Sequence, residues 1–274
     1  MTPNPAVVRK IVAEALLEDI GPGDITTSLC VAPERCGVGT FLAKQNGVLS
    51  GLYVVAECFR QAAPDCTLEH LVAEGESFAA ANVLASVAGP CAQILTAERV
   101  ALNFLQRLCG IATLTAQYVR AVEGTQARIL DTRKTTPGLR VLEKAAVRAG
   151  GGHNHRFALY DGVLIKDNHI AVAGGVAEAV RRARGAVGHM VKVEVEVDDL
   201  DQLAAAMAEG PDAVLLDNMP PEMLLQAVRV IAGRAVSEAS GRVTAATVAA
   251  IAATGVDIIS AGWITHSAPA LDLG

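Results

Sequence analysis

Apolar residues in the first part of the chain recur at the three- and four-residue spacing of amphipathic helices. The first such stretch runs from Val8 to Leu16, and Gly21-Pro22-Gly23 ends it. A second stretch covers residues 52–62, and a longer one begins near Thr96 and continues through Leu108. The spacing therefore predicts three helices before residue 110.

Between the first two helices the pattern changes to short extended runs. Residues 38–50 contain these runs, with Asn46-Gly47 at a hairpin position. Helix and antiparallel strand are thus mixed in this part of the chain. Residues 1–110 are predicted to form an N-terminal α/β domain.

From about residue 125 onward, short apolar runs recur, each closing on polar or glycine residues and followed by a helical stretch. The six runs are ARILDTRKT from Ala127, GVLIKDNHI from Gly162, VKVEVEVDD from Val191, AVLLDN from Ala213, AVSEASG from Ala235 and DIISAGW from Asp257. The helices predicted between the later runs cover residues 200–209, 221–231 and 246–254. This alternation predicts an incomplete parallel α/β barrel over residues 111–274, with room for a seventh unit around residues 111–122 or elsewhere. An open doubly wound sheet is the alternative.

Positively charged residues follow the predicted strands, at the end of a barrel where the carboxyl ends of all strands meet. The four cations expected at this rim are Arg133, Lys134, Arg156 and Lys166. Neighbouring cations repel each other unless anions lie between them. Arginine binds carboxylate or phosphate through two parallel hydrogen bonds, whereas lysine acts as a point charge, so a ligand with both groups is predicted. A structural salt-bridge network with nearby carboxylates is the alternative.

Small residues and glycine follow the last two predicted strands, where barrels commonly bind phosphate through backbone N–H groups. These residues are Ser240, Gly241 and Gly262. Glu196 and Asp217 end neighbouring predicted strands, where their oxygens would either balance the cations or hold Mg²⁺, directly or through water.

Metal binding and Schiff-base formation are two alternative interpretations of residues in this region. His153 and His155 form an H-x-H pair that suits a metal, although the adjoining Arg156 favours an acidic substrate instead. Lys166 follows an apolar strand, as Schiff-base lysines of aldolase barrels do, but polar residues come directly after it. A non-catalytic anion-binding barrel protein is a further alternative.

Composition and charge narrow the classes of partner and compartment. The 274-residue chain has a formal net charge of -6 and no long Lys/Arg run, so neither nucleic acid nor an anionic membrane is an expected partner. The six cysteines form no C-x-x-C pair, as expected in a reducing compartment. The N-terminus lacks the apolar stretch of a signal peptide, and no stretch is apolar enough to span a bilayer. We therefore expect a cytoplasmic protein.

Several motifs, in order along almost the whole chain, together resemble the quinolinate phosphoribosyltransferase family. They are EDIGPGDITT (18–27), ERVALNFLQRLCGIAT (98–113), DTRKTTPGLR (131–140), GGGHNHR (150–156), LIKDNH (164–169), VEVEVD (193–198), LLDN (215–218) and GWITHSAPALD (262–272). The resemblance implies a type II phosphoribosyltransferase with an N-terminal mixed α/β sandwich domain and an incomplete seven-stranded α/β barrel. It also implies a homodimer with shared active sites, and it allows the C-terminal tail to pack back on the N-terminal domain.

The reaction implied by the resemblance is a pentosyl transfer. Quinolinate and phosphoribosyl pyrophosphate give nicotinate mononucleotide for NAD synthesis, with release of pyrophosphate and carbon dioxide. The implied quinolinate-binding residues are Arg133, His155, Arg156 and Lys166, with Arg99 from the other subunit. The implied catalytic residues are Lys134, Glu196 and Asp217, the last two also facing Mg²⁺, and the implied phosphate-binding residues are Ser240, Gly241 and Gly262. Arg242 and Trp263 depart from the family's usual glycine and small residue, so differently shaped phosphate loops are expected.

Overall fold

The structure, a computed structural model, describes residues 3–274. The chain divides into two compact units. Unit 1 contains the chain up to Ala116 together with Thr135–Gly151 and Thr265–Gly274, and unit 2 contains Gln117–Lys134 and Gly152–Ile264. Each unit is therefore assembled from separated segments, and the linear boundary after residue 110 stays a prediction.

Residues 3–274 contain eleven helices and eleven strands. The helices are α1 (Pro5–Ile20), α2 (Ile25–Cys30), α3 (Leu52–Ala62), α4 (Cys91–Ala121), α5 (Arg140–Ala149), α6 (Asp167–Ala173), α7 (Val176–Ala186), α8 (Leu200–Ala208), α9 (Pro221–Ile231), α10 (Val248–Ala252) and α11 (Trp263–His266). The strands are β1 (Cys36–Leu42), β2 (Gly47–Val48), β3 (Thr67–His70), β4 (Ser77–Phe78), β5 (Val83–Pro90), β6 (Arg128–Leu130), β7 (Val163–Ile165), β8 (Val193–Val197), β9 (Ala213–Asp217), β10 (Val236–Ser240) and β11 (Ile258–Ser260). Within residues 3–274, no helix has both the length and the apolar character needed to cross a bilayer.

Unit 1 contains an antiparallel sheet in the order β1-β5-β3 and a separate β2-β4 pair. The hairpin predicted at Asn46-Gly47 is wrong, because β1 pairs with β5 and β2 pairs with β4. The Asn46 side chain accepts a hydrogen bond from the backbone N–H of Ala80 at 2.9 Å, beyond β4. This contact ties the turn to a distant part of the chain instead of to a neighbouring strand.

Helix α4 is a single helix of 31 residues, and it corrects two expectations. It begins at Cys91 and not near Thr96, and it extends through residues 111–121, where we allowed room for a seventh strand unit. Ile111, Thr115 and Tyr118 are all buried and lie at helical spacing, which continues the apolar face past Leu108. The helical pattern therefore has no break at which a strand could start.

The C-terminal tail belongs to unit 1. Gly274 and Leu42 exchange two backbone hydrogen bonds of 2.6 and 3.0 Å, and the Gln106 side chain donates to the Leu273 carbonyl at 2.7 Å. Gly110 of α4 lies so close to the tail that a Cβ there would overlap the Pro269 carbonyl oxygen. Close packing therefore requires glycine at this helical position.

A buried ion pair links three segments of unit 1. The fully buried Glu143 carboxylate accepts hydrogen bonds from Arg107 Nη2 at 2.9 Å and Nε at 3.1 Å. It also accepts the Thr136 hydroxyl and backbone N–H at 2.7 and 3.1 Å. The same guanidinium donates to the carbonyls of Thr265 and Ala268 in the tail. This network provides partners for a charge that burial would otherwise penalise.

Unit 2 is built on a six-stranded parallel sheet in the order β6-β11-β10-β9-β8-β7. Strands β7 to β11 follow one another around the sheet without a reversal, and β6 pairs with the last strand, β11. A doubly wound sheet reverses its strand order at a switch point, so this order favours the predicted α/β barrel arrangement over the alternative. Leu130 also forms a parallel bridge with His153 on the other side of β6.

Two helices between the strands of unit 2 are confirmed close to their predicted positions. Residues 200–209 correspond to α8, which Asp199 caps by accepting the Gln202 N–H, and residues 221–231 are α9. The helix predicted over residues 246–254 is shorter, with α10 limited to Val248–Ala252. Along β8, Val193, Val195 and Val197 are buried on one face, and the glutamates between them lie on the other.

Candidate active site

The predicted rim residues lie at or just after the carboxyl ends of the strands in unit 2. Arg133 and Lys134 follow β6, Arg156 follows the β-bridge at His153, and Lys166 follows β7. Glu196 lies near the end of β8, and Asp217 ends β9. Ser240 ends β10 and is followed by Gly241, and Gly262 follows β11. Arg99 lies on α4 in unit 1. All of the predicted residues except Arg99 therefore belong to the unit that carries the parallel sheet.

Lys166 and Glu196 are brought together across the neighbouring strands β7 and β8. The lysine Nζ lies 2.5 Å from the glutamate Oε2. Schiff-base chemistry needs a neutral amine, usually in an apolar pocket. The Lys166 amine is instead partly exposed and contacts a carboxylate, which weighs against the aldolase alternative.

Arg133 and Arg156 supply the crowded positive charge that the sequence predicted. Burial lowers the pKa of Arg156, and the nearby Arg133 guanidinium lowers it further. Arg156 Nη1 donates to the Gly162 carbonyl at 2.9 Å, which holds the side chain in place. An anion between the two arginines would relieve their repulsion, so this pair is suited to bind one.

His155 lies among carboxylates, and its ring nitrogens face protein groups. Nε2 lies 3.1 Å from Glu194 Oε2 and 3.4 Å from Glu238 Oε2, and Nδ1 accepts the Arg156 backbone N–H at 2.7 Å. Burial lowers the pKa of His155, and the hydrogen bonds to the two glutamates raise it by more. Burial also raises the pKa of Glu194. The carboxylates thus favour a ring proton on Nε2.

Glu238 is a site residue that the sequence reasoning missed. It lies in the middle of β10, nearly fully buried, and its Oε1 has no hydrogen-bond partner among the described residues. An ionisable residue in the middle of a buried strand was the available signal, because glutamate is rarely buried without a partner. Asp131 is also fully buried, and it accepts the His155 backbone N–H at 2.9 Å and the Asn154 side-chain amide.

Among residues 3–274, one group of side chains has three metal-ligating atoms within 4.8 Å of one another: His155, Glu194 and Glu238. His153 is not part of it, so the H-x-H pair does not converge on one site. Glu196 and Asp217, the predicted Mg²⁺ ligands, lie on the adjacent strands β8 and β9. The donor type fits, because Mg²⁺ is usually held by one or two carboxylates together with water and substrate phosphates.

The predicted phosphate loops lie after β10 and β11. The hydroxyls of Ser240 and Ser260 are hydrogen-bonded at 3.0 Å, which links the two strand ends. Gly241 has φ of 121°, and a Cβ there would overlap the Asn218 side chain, so the position requires glycine. Arg242 and Trp263, the two departures from the family pattern, are both exposed.

Comparisons with known proteins agree with this arrangement. The family model for the N-terminal domain of quinolinate phosphoribosyl transferase matches residues 24–109, and the model for the C-terminal domain matches residues 111–274. The probable nicotinate-nucleotide pyrophosphorylase [carboxylating] of Bacillus subtilis is 43% identical, over 98% of this chain and 93% of its own length. Its counterpart in Mycobacterium leprae is 41% identical, over 97% of this chain and 95% of its own. The solved nicotinate-nucleotide pyrophosphorylase from Francisella tularensis superimposes with a TM-score of 0.93 at 39% identity, covering 98% of this chain and 95% of that one. The chain belongs to the quinolinate phosphoribosyl transferase family.

Proposed function

We propose that this chain transfers the phosphoribosyl group of phosphoribosyl pyrophosphate to quinolinate. Decarboxylation follows, and nicotinate mononucleotide is made for NAD biosynthesis. The observation that carries the proposal is the group of cations at the strand ends of unit 2, where Arg133 crowds Arg156 in a chain of this family. A ring with two carboxylates supplies the anions that such a group needs.

The carboxylates of quinolinate are assigned to Arg133, Arg156 and Lys166. His155, also expected to bind quinolinate, is assigned a positioning role instead, because its ring nitrogens face protein groups. Two arginines can each bind a carboxylate through paired hydrogen bonds, and the lysine adds a third positive charge. Lys166 is held at the rim by Glu196, so its ammonium group is placed before the substrate arrives. His155 holds the Arg156 backbone, because its Nδ1 accepts the Arg156 N–H.

Bond cleavage between ribose and diphosphate builds positive charge at the anomeric carbon. Glu196 and Asp217, on neighbouring strands, stabilise that charge, and Lys134 neutralises the leaving diphosphate. The quinolinate nitrogen forms the new bond, so no protein nucleophile is needed. The cationic ring nitrogen then stabilises the electron pair that loss of carbon dioxide leaves on the neighbouring ring carbon, and this carbon takes up a proton, while the protein holds the ring.

Mg²⁺ is the proposed cofactor. Glu196 and Asp217 would hold it, directly or through water, and it would supply positive charge to the diphosphate. The hydroxyl of Ser240 and the backbone around Gly241 and Gly262 are proposed to bind the 5-phosphate. The requirement for glycine at position 241 supports this role, because an absent side chain lets an anion approach the backbone.

The finer architecture is also part of the proposal. The segment at His153 is proposed as the seventh position of an incomplete barrel, supported by its parallel bridge to Leu130. We propose a homodimer in which Arg99 serves the partner's active site. Exposed apolar side chains on α1 and α2, among them Leu17, Ile25 and Leu29, support a second copy as the partner. A cytoplasmic location is proposed from the free thiols of all six cysteines in the described chain.

The test is a mixing assay with the purified chain, quinolinate, phosphoribosyl pyrophosphate and Mg²⁺. Pyrophosphate and nicotinate mononucleotide are expected in equal amounts, and neither is expected when any one component is omitted. Lys134→Ala is expected to lose turnover and to keep its melting temperature, because an exposed rim lysine contributes little packing. Absence of pyrophosphate release from the intact, folded chain would overturn the proposal.

A further inference from the structure

Three side chains of unit 2 form a buried polar cluster: His155, Glu194 and Glu238. The ring Nε2 of His155 lies within 3.4 Å of one carboxylate oxygen from each glutamate. Both glutamates are largely buried, and Glu238 is 1% exposed. Two carboxylates are costly to bury, so their placement beside one imidazole calls for a reason beyond packing.

The contacts of the ring place its proton. Because the Arg156 backbone N–H donates to Nδ1, this nitrogen has a lone pair and no proton. A single ring proton therefore lies on Nε2, where it is donated to Glu194 and Glu238. Despite burial, these carboxylates raise the pKa of His155, but the Arg156 N–H that points at Nδ1 opposes the second proton that a cationic ring would carry there. The same assignment argues against a metal ion in the cluster, since a protonated Nε2 has no lone pair to offer as a ligand.

His155 in turn holds the backbone that carries Arg156. Nδ1 fixes the Arg156 N–H, and the buried Asp131 fixes the His155 N–H at 2.9 Å. The peptide units before and after His155 are therefore each held by one hydrogen bond. Beyond them, the Arg156 side chain is anchored on the Gly162 carbonyl, close to Arg133.

We propose that Glu194 and Glu238 are positioning residues that set the orientation and tautomer of His155 and thereby place the Arg156 guanidinium. The identity of the anion that Arg156 binds rests on the proposed function. The acid pair does not touch the substrate, and it acts only through the ring of His155. Substitutions in the pair therefore weaken acceptor binding more than they weaken binding of the phosphoribosyl donor.

Kinetics with two substitutions of Glu238 test this chain of contacts. Glu238→Leu removes one of the two carboxylate acceptors of the Nε2 proton and is expected to raise the KM for quinolinate about tenfold, the loss expected for one hydrogen bond to a charged group. Glu238→Gln retains an acceptor oxygen and is expected to stay within about threefold of the original chain. The KM for phosphoribosyl pyrophosphate is expected to be unchanged in both.

Ser237→Ala is the matched control. Ser237 is buried next to Glu238 on β10, and its hydroxyl donates to Asp257 at 2.7 Å, away from His155. It is expected to lower the melting temperature without changing the KM for quinolinate. If Glu238→Leu raises both KM values alike, or only lowers the melting temperature as the control does, the acid pair has no positioning role.

A double-mutant cycle locates the effect on Arg156. In an Arg156→Ala background, Glu238→Leu is expected to cause less than about a twofold further rise in the quinolinate KM, because the group that it positions is gone. A further tenfold rise, additive with Arg156→Ala, would show that Glu238 acts by another route and would overturn the inference.

Nitrogen-15 NMR of the His155 ring tests the inference without turnover. The expected spectrum has a protonated Nε2 and an unprotonated Nδ1, and Glu238→Leu is expected to change the tautomer populations and the Arg156 amide resonance. A ring protonated on Nδ1, or a Zn²⁺-dependent shift of Nε2, would contradict the positioning inference. If quinolinate proves not to be a substrate, these resonances still decide the inference, so the two failures are distinguishable.

Discussion

Two glutamates each form an ion pair with a cation, Glu143 in the interior of unit 1 and Glu196 at the rim of unit 2. Replacing each by glutamine is expected to have opposite consequences for stability and turnover. The Glu143 side chain is 0% exposed and holds Arg107 and Thr136, whereas Glu196 is 12% exposed and pairs with Lys166, which is 45% exposed. Glu143→Gln leaves the partly buried Arg107 without its carboxylate, a loss of about 3–5 kcal/mol of folding free energy. Glu196→Gln breaks a pair whose lysine is nearly half exposed, so the loss is at most about 1 kcal/mol.

Thermal unfolding and steady-state turnover together check this contrast. At about 2–4 °C per kcal/mol for a chain of this size, Glu143→Gln is expected to lower the melting temperature by about 6–20 °C and Glu196→Gln by less than about 4 °C. The loss of turnover is expected to be larger in Glu196→Gln than in Glu143→Gln. Removing one charge-stabilising group from the proposed site lowers kcat about 10²-fold in Glu196→Gln, whereas Glu143→Gln keeps its kcat below its melting temperature. Equal losses of stability, or a Glu196→Gln variant with undiminished kcat, would refute the division between an interior and a catalytic carboxylate.

Three further predictions concern packing, thiols and metal. Gly110→Ala is expected to cost about 1–3 kcal/mol of stability, because its methyl group would meet the Pro269 carbonyl. Gly185→Ala on α7 has open space around it and is expected to add about 0.5–1 kcal/mol. Urea unfolding measures both, and a stabilised Gly110→Ala would contradict the packing of the tail. Burial raises the pKa of the Cys58 and Cys109 thiols to about 12, so at pH 8 only about one thiol in 10⁴ is ionised. A thiol reagent is therefore expected to modify these cysteines only after unfolding. Rapid labelling of either cysteine in the native chain, detected by mass spectrometry, would refute this burial. Chelation by EDTA is expected to abolish pyrophosphate release, with recovery on adding excess Mg²⁺, and full turnover in the chelator would remove Mg²⁺ from the proposal.

Much of the rim could be predicted because it depends on a local rule. Each apolar run of the second half ends in charged, polar or small residues, and parallel strands carry their carboxyl ends to one side. Lys166 and Glu196 are 30 residues apart in the chain and yet meet at 2.5 Å, as this rule requires. Arg133 follows the same rule, whereas Arg156 follows the glycine-rich stretch 150–152 and no apolar run.

The parts that could not be predicted depend on contacts between distant segments. Glu238 and Glu143 are buried because His155 and Arg107, from other segments, supply partners. The position of Glu238 within an apolar run is visible in the sequence, but the partner that allows its burial is not. The wrong hairpin has the same cause, since the Asn46 side chain bonds to Ala80 and not within its own turn. Local signals fail where a tertiary contact decides the outcome.

The extent of α4 was missed for a different reason. Its start at Cys91 directly follows the strand residue Pro90, so strand and helix meet without the polar loop that usually separates them. Its end at Ala121 lies beyond a long run of helically spaced buried residues, and this run covers the residues that the barrel prediction left open for a seventh unit. Here the expected architecture overrode a clear helical period.

The central claim is that the cations of unit 2 meet in order to bind a ring with two carboxylates. The most direct measurement compares kcat/KM for quinolinate with kcat/KM for nicotinate, which has one carboxylate, in the original chain and in Arg156→Ala. We predict a preference for quinolinate of at least about 10³-fold in the original chain, since charge-assisted carboxylate pairs contribute several kcal/mol, and a preference reduced at least about tenfold in the variant. Equal use of the two acids by the original chain, or an unchanged preference in Arg156→Ala, would contradict the claim.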